Sequence, residues 1–299
     1  VYYNIIVQNN WKVIIMKYTQ KAPAKINLAI DVLRKRPDGF HEVRMIMQSV
    51  ALYDVISLRP VLDGRITVTS NSSAIPTDSN NIVYKTAEYL KQKYNVKAGA
   101  EIYIEKNIPV SAGLAGGSAD AAAALNLLDK AWKLKLTKSE MLDIAKKLGS
   151  DVPFCMTGGT ALAEGLGEKL TPLKPMPECF ILLAKPDMDI STKEVYEGID
   201  KKSITKRPDI DAMIKAIEKQ DLAAISKELC NVLEYVTVKK CPVISEIKEK
   251  LIEYGALGSV MSGSGPTVLG IFQDQASAYI AYDNIKNMVS EIFVVKPLP

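Results

Sequence analysis

The 299-residue chain has a single histidine, His41. That excludes multi-histidine metal sites, and a Ser-His-Asp triad would have to use this one residue. Its four cysteines, Cys155, Cys179, Cys230 and Cys241, stand far apart with no CxxC pair and no zinc spacing, so reduced thiols in a cytoplasmic protein are expected. No apolar run approaches the ~20 residues that cross a bilayer, which removes a membrane partner from the expectations. Arginine is scarce, with six residues, and the lysines are interleaved with acids, as in KKSITKRPDID and SEIKEKLIEY. Such stretches are solvated faces rather than a stripe for nucleic acid, and no nucleic-acid partner is expected. The formal net charge of +4 is a mild excess that suits an anionic small substrate. The start, VYYNIIVQNNWKVII, has neither an arginine-rich amphipathic pattern nor a basic segment followed by an apolar stretch and a cleavage site. Residues 1–16 are expected to be an upstream extension or an artefact, with pairing as an added edge strand as the alternative.

What is present is an ordinary globular balance, 47% hydrophobic and 24% charged, long enough for two packed domains or one large one. Residues 22–33, 43–58 and 65–69 alternate as strands, with a turn at RPDGFH, 36–41. Residues 80–94 have helical spacing, with an asparagine to cap them. In TKSEMLDIAKKLG, Thr137 and Glu140 form a capping box and Gly149 closes the helix. CFILLAKPD reads as a buried strand. Helical patterns follow at 192–199, 209–218, 221–234 and 242–254, then the strand GSVMSGSGPTVLGIF, a helix over 275–289 and a last strand, EIFVVKP. Strands and helices in this mixture predict an α+β fold, with a boundary near Pro172.

The most informative stretch is PVSAGLAGGSADAAAAL, 109–125. It follows EIYIEKNIPV, in which Ile102 and Ile104 alternate as in a half-buried strand, and it runs into an alanine-rich helix. Strand, small-residue loop and helix N-terminus direct several backbone N–H groups at one spot, and the helix dipole makes that spot positive. A phosphate chain is its natural occupant. The segment lacks the Gly-Lys-Ser/Thr of a Walker loop and the glycine spacing of a dinucleotide fingerprint. The alternative is a tight left-handed turn with Ser118 as a helix cap.

Six further sites each have a plain structural reading. Lys25 in APAKINL is a solvent-facing edge lysine or a site residue. Asp151 in GSDVPF is a helix N-cap, a base, or both. His41 bonds locally after its turn or belongs to a site. Asn81 is first of all a cap, and Tyr196 a packing residue on an amphipathic helix. SGSGPT, 262–267, is a hairpin connection or a second set of N–H groups for an anion.

Taken together, PAKINLAIDVLRKRPDGFHEV, PVSAGLAGGSADAAAAL and MSGSGPTVLGIF resemble, in order and separation, the three motifs of the GHMP kinases, from about Lys17 to the end. The resemblance implies a two-domain fold. A ribosomal protein S5 domain 2-like ATP-binding domain would span 17–172 and a ferredoxin-like domain 173–299, with the active site in the cleft between them. PAKINL with RPDGFHEV and LGSDVPF is similar to the branch that uses ATP to phosphorylate the 2-hydroxyl of 4-diphosphocytidyl-2-C-methyl-D-erythritol, in the non-mevalonate route to isoprenoid precursors. A homoserine- or mevalonate-type kinase, or a non-catalytic ligand sensor on the same fold, is the alternative.

The resemblance also implies roles. Lys25 and Asp151 match the catalytic pair: Asp151 would take the hydroxyl proton, and Lys25 would keep Asp151 charged and offset charge on the γ-phosphoryl group. Asn27 would orient substrate beside them. Pro109, Ser111, Ala112, Gly113, Leu114, Ala115, Gly116, Gly117 and Ser118 would wrap the ATP phosphates, with Ser118 near Mg2+, and Asn81 and Lys106 would lie at the adenine. His41 would recognise cytosine between the rings of Phe40 and Tyr196, and Ser264 and Gly265 would touch the acceptor. Ser111 and Ala112 stand where the family often has glycine, and Phe40 where it often has tyrosine. The expected partners are ATP and a cytidine diphosphate-linked polyol, with the chain a monomer or weak dimer.

Overall fold

The alternation of Ile102 and Ile104 with Glu101, Tyr103 and Glu105 is one of several patterns that become regular elements in the computed structural model. The structure describes residues 2–8, 11–200 and 202–299, with side chains from residue 17 onward. Its strands are β1 (Tyr2–Gln8), β2 (Trp11–Lys35), β3 (His41–Val61), β4 (Ile66–Ser70), β5 (Gly99–Glu105), β6 (Thr160–Gly165), β7 (Lys169–Pro172), β8 (Phe180–Lys185), β9 (Cys230–Asn231), β10 (Gly258–Met261), β11 (Val268–Phe272) and β12 (Glu291–Val295). The helices are α1 (Ile82–Lys93), α2 (Gly116–Trp132), α3 (Lys138–Leu148), α4 (Val152–Thr157) and α5 (Thr192–Ile199). They continue with α6 (Ile210–Glu218), α7 (Leu222–Lys227), α8 (Glu234–Lys240), α9 (Val243–Glu253) and α10 (Gln275–Ile285).

The chain forms two compact units. The first comprises residues up to Pro23, Tyr53–Val110 and Gly116–Met156. Its strands lie in the order β1-β2-β3-β5-β4, and β4 runs parallel to β5. In β5 the isoleucines are buried and Glu101, Tyr103 and Glu105 face out, as a period of two requires. Ile56, Leu58, Ile102 and Ile104 of the sheet share a core with α1, α2 and α3. Burying each such side chain is worth about 1.5–3 kcal/mol. Helix α2 is buried along most of its length, and its alanines let neighbouring elements come close on several sides. The capping box of Thr137 and Glu140 is formed at α3, and Asn81 caps α1 by accepting the Val83 N–H.

The second unit comprises Ala24–Leu52, Ser111–Ala115 and Thr157–Pro299. Here β3 pairs with β6, β6 with β7, and β2 with the two-residue β9. A separate four-stranded antiparallel sheet has the order β10-β11-β8-β12, and every residue of β11 is buried.

Four expectations change. The helix predicted over 221–234 is broken into α7, β9 and α8, because Asn231 is drawn into pairing with β2 and its side chain bonds the Met261 and Gly263 carbonyls. GSVMSGSGPTVLGIF is a hairpin, β10 and β11, joined through 262–267. Ser118 lies inside the first turn of α2, which opens at Gly116, so it is not the cap. The N-terminal segment pairs as an added strand, β1 against β2 from Tyr2↔Lys17 to Gln8↔Trp11. Val1, Asn9 and Asn10 of the expected extension lie outside the described residues. The four cysteines are free, and burial pushes the Cys179 thiol up to about 12, which makes it inert.

Candidate active site

In the second unit, β2 turns Lys25 and Asn27 to one face, as positions two apart must be. Both are buried, so Lys25 is not the solvent-facing lysine of the first reading, and its ammonium donates to Asn27 Oδ1 at 2.8 Å. Asn27 Nδ2 reaches Met45 Sδ at 3.3 Å, and the Asn27 N–H meets Ser262 Oγ at 3.3 Å. Ser262 Oγ donates to the Gly113 carbonyl at 3.0 Å, and the Lys25 N–H to the Leu114 carbonyl at 3.1 Å. The segment 111–115 is thus seated between β2 and the 262–267 connection, anchored by buried Ala112 and Leu114.

Its backbone alternates in hand. Ser111, Gly113 and Ala115 have φ of 53°, 75° and 54°, whereas Ala112 and Leu114 do not enter the left-handed region. Such alternation turns successive N–H groups into a concave, anion-accepting surface. For Ser111 and Ala115 the left-handed conformation costs about 1–2 kcal/mol each. Gly113 admits no side chain, because a Cβ would overlap the Ser262 carbonyl.

The 262–267 connection is held from below. Asn231 Nδ2 donates to the Met261 and Gly263 carbonyls at 2.7 and 2.8 Å, Thr237 Oγ1 to the Ser264 carbonyl at 3.1 Å, and the Met261 N–H to Glu234 Oε1 at 2.8 Å. Ser264 Oγ lies 2.8 Å from Thr192 Oγ1, and Gly265 takes φ 88°.

A second cluster in this unit surrounds His41, which is buried. Its Nε2 is 2.8 Å from Asp200 Oδ1, a contact across 159 residues rather than the local bond expected of a turn histidine. The Tyr196 ring lies 5.2 Å away, tilted 38°. Asp200 also takes the Lys35 ammonium at 2.7 Å, and Lys35 first, then His41, hold its carboxyl below the usual range. Phe40 is 62% exposed, and its ring stands in solvent after the Asp38-Gly39 turn.

In the first unit Asn81 is buried, with Nδ2 donating to the Pro76 carbonyl at 2.6 Å. Gly116, Gly117 and Ser118 form the first turn of α2, whose N–H groups have no carbonyl one turn earlier in the helix. A Cβ on Gly117 would lie 3.8 Å from Ile82 Cγ2, so the starts of α1 and α2 are neighbours. Pro109 is buried at the end of the preceding segment. Lys106 turns its ammonium inward to Asp54 and Asp120, its backbone N–H donates to Asn71 Oδ1 at 2.7 Å, and its carbonyl accepts from Asn71 Nδ2 at 3.3 Å. Asp151 is half-buried immediately before α4, and its carbonyl takes the first helical bond from the Cys155 N–H at 3.0 Å.

Sequence reasoning missed Asp54, Asp120, Asp200 and Asn231. Only Asp120 carried a signal, as a lone charge within an alanine run.

Two family models match the chain: the GHMP kinases N terminal domain over residues 81–159, and the GHMP kinases C terminal over 213–291. The chain therefore belongs to the GHMP kinase family, a family of ATP-dependent phosphotransferases, and its α+β fold is that family's. Among its relatives is a protein of Caldicellulosiruptor saccharolyticus named 4-diphosphocytidyl-2-C-methyl-D-erythritol kinase. It is 51% identical over 274 residues, covering 92% of this chain and 94% of that one. The protein of the same name from Caldicellulosiruptor bescii is 52% identical, covering 92% and 96%. A crystal structure of 4-(cytidine 5'-diphospho)-2C-methyl-D-erythritol kinase superposes with a TM-score of 0.79 at 27% identity, over 94% of this chain and 100% of that one. Homoserine kinase from Cytophaga hutchinsonii, at TM-score 0.75 and 18% identity over 99% and 97%, shares the fold. No helix among the described residues is long and apolar enough to cross a membrane.

Proposed function

We propose that this chain transfers the γ-phosphoryl group of ATP to the 2-hydroxyl of 4-diphosphocytidyl-2-C-methyl-D-erythritol, a step toward isopentenyl diphosphate. The observation that carries the reading is the 51% identity, over 92% of the chain, to a relative named for that substrate. The His41 cluster supports it: a buried imidazole with a fixed carboxylate partner and a tyrosine ring against it offers a polar edge and a flat face to a pyrimidine. Phe40, exposed beside it, is free to close on the other face of the base.

In this reading Asp151 accepts the hydroxyl proton as the oxygen attacks, and Lys25 offsets the charge that develops on the transferred group. Lys25 is suited to a fixed role, being buried and bonded to Asn27, which orients the acceptor. The alternating backbone of Ser111, Ala112, Gly113, Leu114 and Ala115 and the first turn of α2, Gly116 to Ser118, donate N–H groups to the phosphates after the turn at Pro109. Asn81 and the region of Lys106 border the adenine. Ser264 and Gly265 approach the acceptor, supported by Asn231 and Thr237. The donor set at the start of α2, a serine hydroxyl beside phosphate oxygens, is the hard-oxygen chemistry that suits Mg2+, and Ser118 would hold it. When bound, the ion neutralises charge between the phosphates.

The division at residue 172 into an ATP-binding part, 17–172, and a C-terminal part, 173–299, belongs to the same proposal. It is supported by the matches at 81–159 and 213–291, which fall on either side. The chain would work as a cytoplasmic monomer or weak dimer, and its four free thiols suit a reducing compartment.

The test is ADP release with Mg-ATP and diphosphocytidyl-methylerythritol, homoserine, mevalonate or no acceptor. Turnover confined to the cytidine compound is expected. Turnover on another acceptor would overturn the substrate, and nucleotide binding without turnover on any would favour a ligand sensor.

A further inference from the structure

An ionised carboxylate accepts hydrogen bonds and cannot donate one, so a histidine beside it must supply the hydrogen. His41 is in that position. Its side chain is 6% exposed, and its Nε2 lies 2.8 Å from Asp200 Oδ1. The other oxygen of Asp200, Oδ2, takes the Lys35 ammonium at 2.7 Å. Lys35 first, then His41, hold the Asp200 carboxyl below the usual range, so the group is an acceptor on both oxygens. The hydrogen of the His41–Asp200 bond therefore sits on Nε2. A neutral imidazole carries one hydrogen on its two nitrogens, which leaves Nδ1 with a lone pair. Among the described residues Nδ1 has no hydrogen-bond partner. The Tyr196 ring stands 5.2 Å from the imidazole, and Phe40, the residue before His41, is exposed.

Pyrimidines differ at one edge in the direction of hydrogen bonding. Cytosine presents an exocyclic amine, a donor, where uracil presents a carbonyl, an acceptor. We propose that Asp200 sets the base specificity of the site through His41: by holding the hydrogen on Nε2 it makes Nδ1 an acceptor, which takes the amine of cytosine and rejects the carbonyl of uracil. Asp200 is a positioning residue, since it touches the imidazole and not the base. This role rests on the reading that the His41 cluster holds the base of the acceptor. Lys35 serves the same end, because the bond to Oδ2 keeps the carboxylate from turning away from the ring. Without Asp200 either ring nitrogen can carry the hydrogen. An N–H at Nδ1 would then donate to a uracil carbonyl as readily as a lone pair accepts from a cytosine amine. Asp200→Asn keeps the shape of the side chain but offers Nε2 either an N–H or an oxygen, so it no longer dictates the form of the imidazole.

His41 is the single histidine of the chain, so its two ring nitrogens can be read without assignment. The experiment is long-range proton–nitrogen NMR at pH 8 on uniformly labelled wild type and Asp200→Asn, free and titrated with CDP or UDP. The free wild type should show one neutral form, with the hydrogen on Nε2. CDP should move the Nδ1 signal at about tenfold lower concentration than UDP, and in Asp200→Asn that ratio should fall to about twofold or less. Steady-state kinetics should show the same loss as a higher KM for diphosphocytidyl-methylerythritol with kcat within about twofold, because only recognition of the base has changed. A hydrogen on Nδ1, or on both nitrogens, in the free wild type would overturn the role of Asp200. That measurement decides even if Asp200→Asn does not fold. An Asp200→Asn chain with the wild-type ratio would overturn it as well. A CDP preference that Asp200→Asn loses, in a chain that phosphorylates no cytidine acceptor, would sink the proposed reaction and support the role of Asp200. Turnover on that acceptor with an equal or absent response of Nδ1 to CDP and UDP would sink the role of Asp200 and leave the reaction.

Discussion

Asp151 is the residue on which the proposed chemistry turns, and its position explains why sequence left two readings open. It precedes α4 and its carbonyl starts the helical bonding, which is the position of a cap, and the proposed base would stand at the same residue. Replacing it separates them. Asp151→Asn keeps shape and hydrogen bonding but cannot take a proton. Turnover should fall about 10²–10⁴-fold with the acceptor KM nearly unchanged, as steady-state kinetics would read. Near-normal turnover would remove Asp151 from the mechanism. Lys25 and His41 show the limit of motif reading in the other direction. Their residue types suggested a site, but their burial and their partners, Asn27 for one and Asp200 with Tyr196 for the other, come from chain segments that only folding brings together.

At the scale of elements, local signals worked where they were strong. The capping box at Thr137, the Asn81 cap and the alternation in β5 each appear as the sequence suggests, because each is decided by residues within one turn or one pleat. The helix predicted over 221–234 failed for the opposite reason. Its periodicity is real, but Asn231 gains backbone pairing to β2 and two side-chain bonds to the 261–263 carbonyls, and those outweigh one helical turn. Asn231→Ala would leave two buried carbonyls without that donor. It should destabilise the chain by about 2–3 kcal/mol, as a lower denaturant midpoint at unchanged slope, and raise the acceptor KM through the loosened 262–265 loop. A wild-type midpoint would show that the loop does not depend on Asn231. The β6–β7 hairpin in TALAEGLGEKLTP was not foreseen. Its turn is made by Gly165 and Gly167 at φ 74° and 111°, which a scan for hydrophobic periodicity does not register.

For the whole molecule, the Asp120 carboxyl couples stability to pH. Its ordinary value is 3.8 and burial pushes its folded value up to about 7, so the fold prefers the protonated form. Between these values the unfolded chain has released the proton and the folded chain has not, so the contribution is full below about 3.8 and is lost as pH rises through about 7. The stability of Asp120→Asn relative to wild type should therefore climb across that window and level off above it, as denaturant titrations at several pH values would read. A constant difference would mean that Asp120 titrates alike in the folded and unfolded chains. What the sequence by itself determined was the class of elements, the order and spacing of the three motifs, and through them the family, because hydrophobic period, caps and small-residue loops are local properties of the chain. What only the tertiary structure decided was which side chains meet: Lys106 with Asp54 and Asp120, His41 with Asp200, and Ser262 with Gly113. These contacts join residues 14 to 159 positions apart, and no local propensity encodes a partner at that distance.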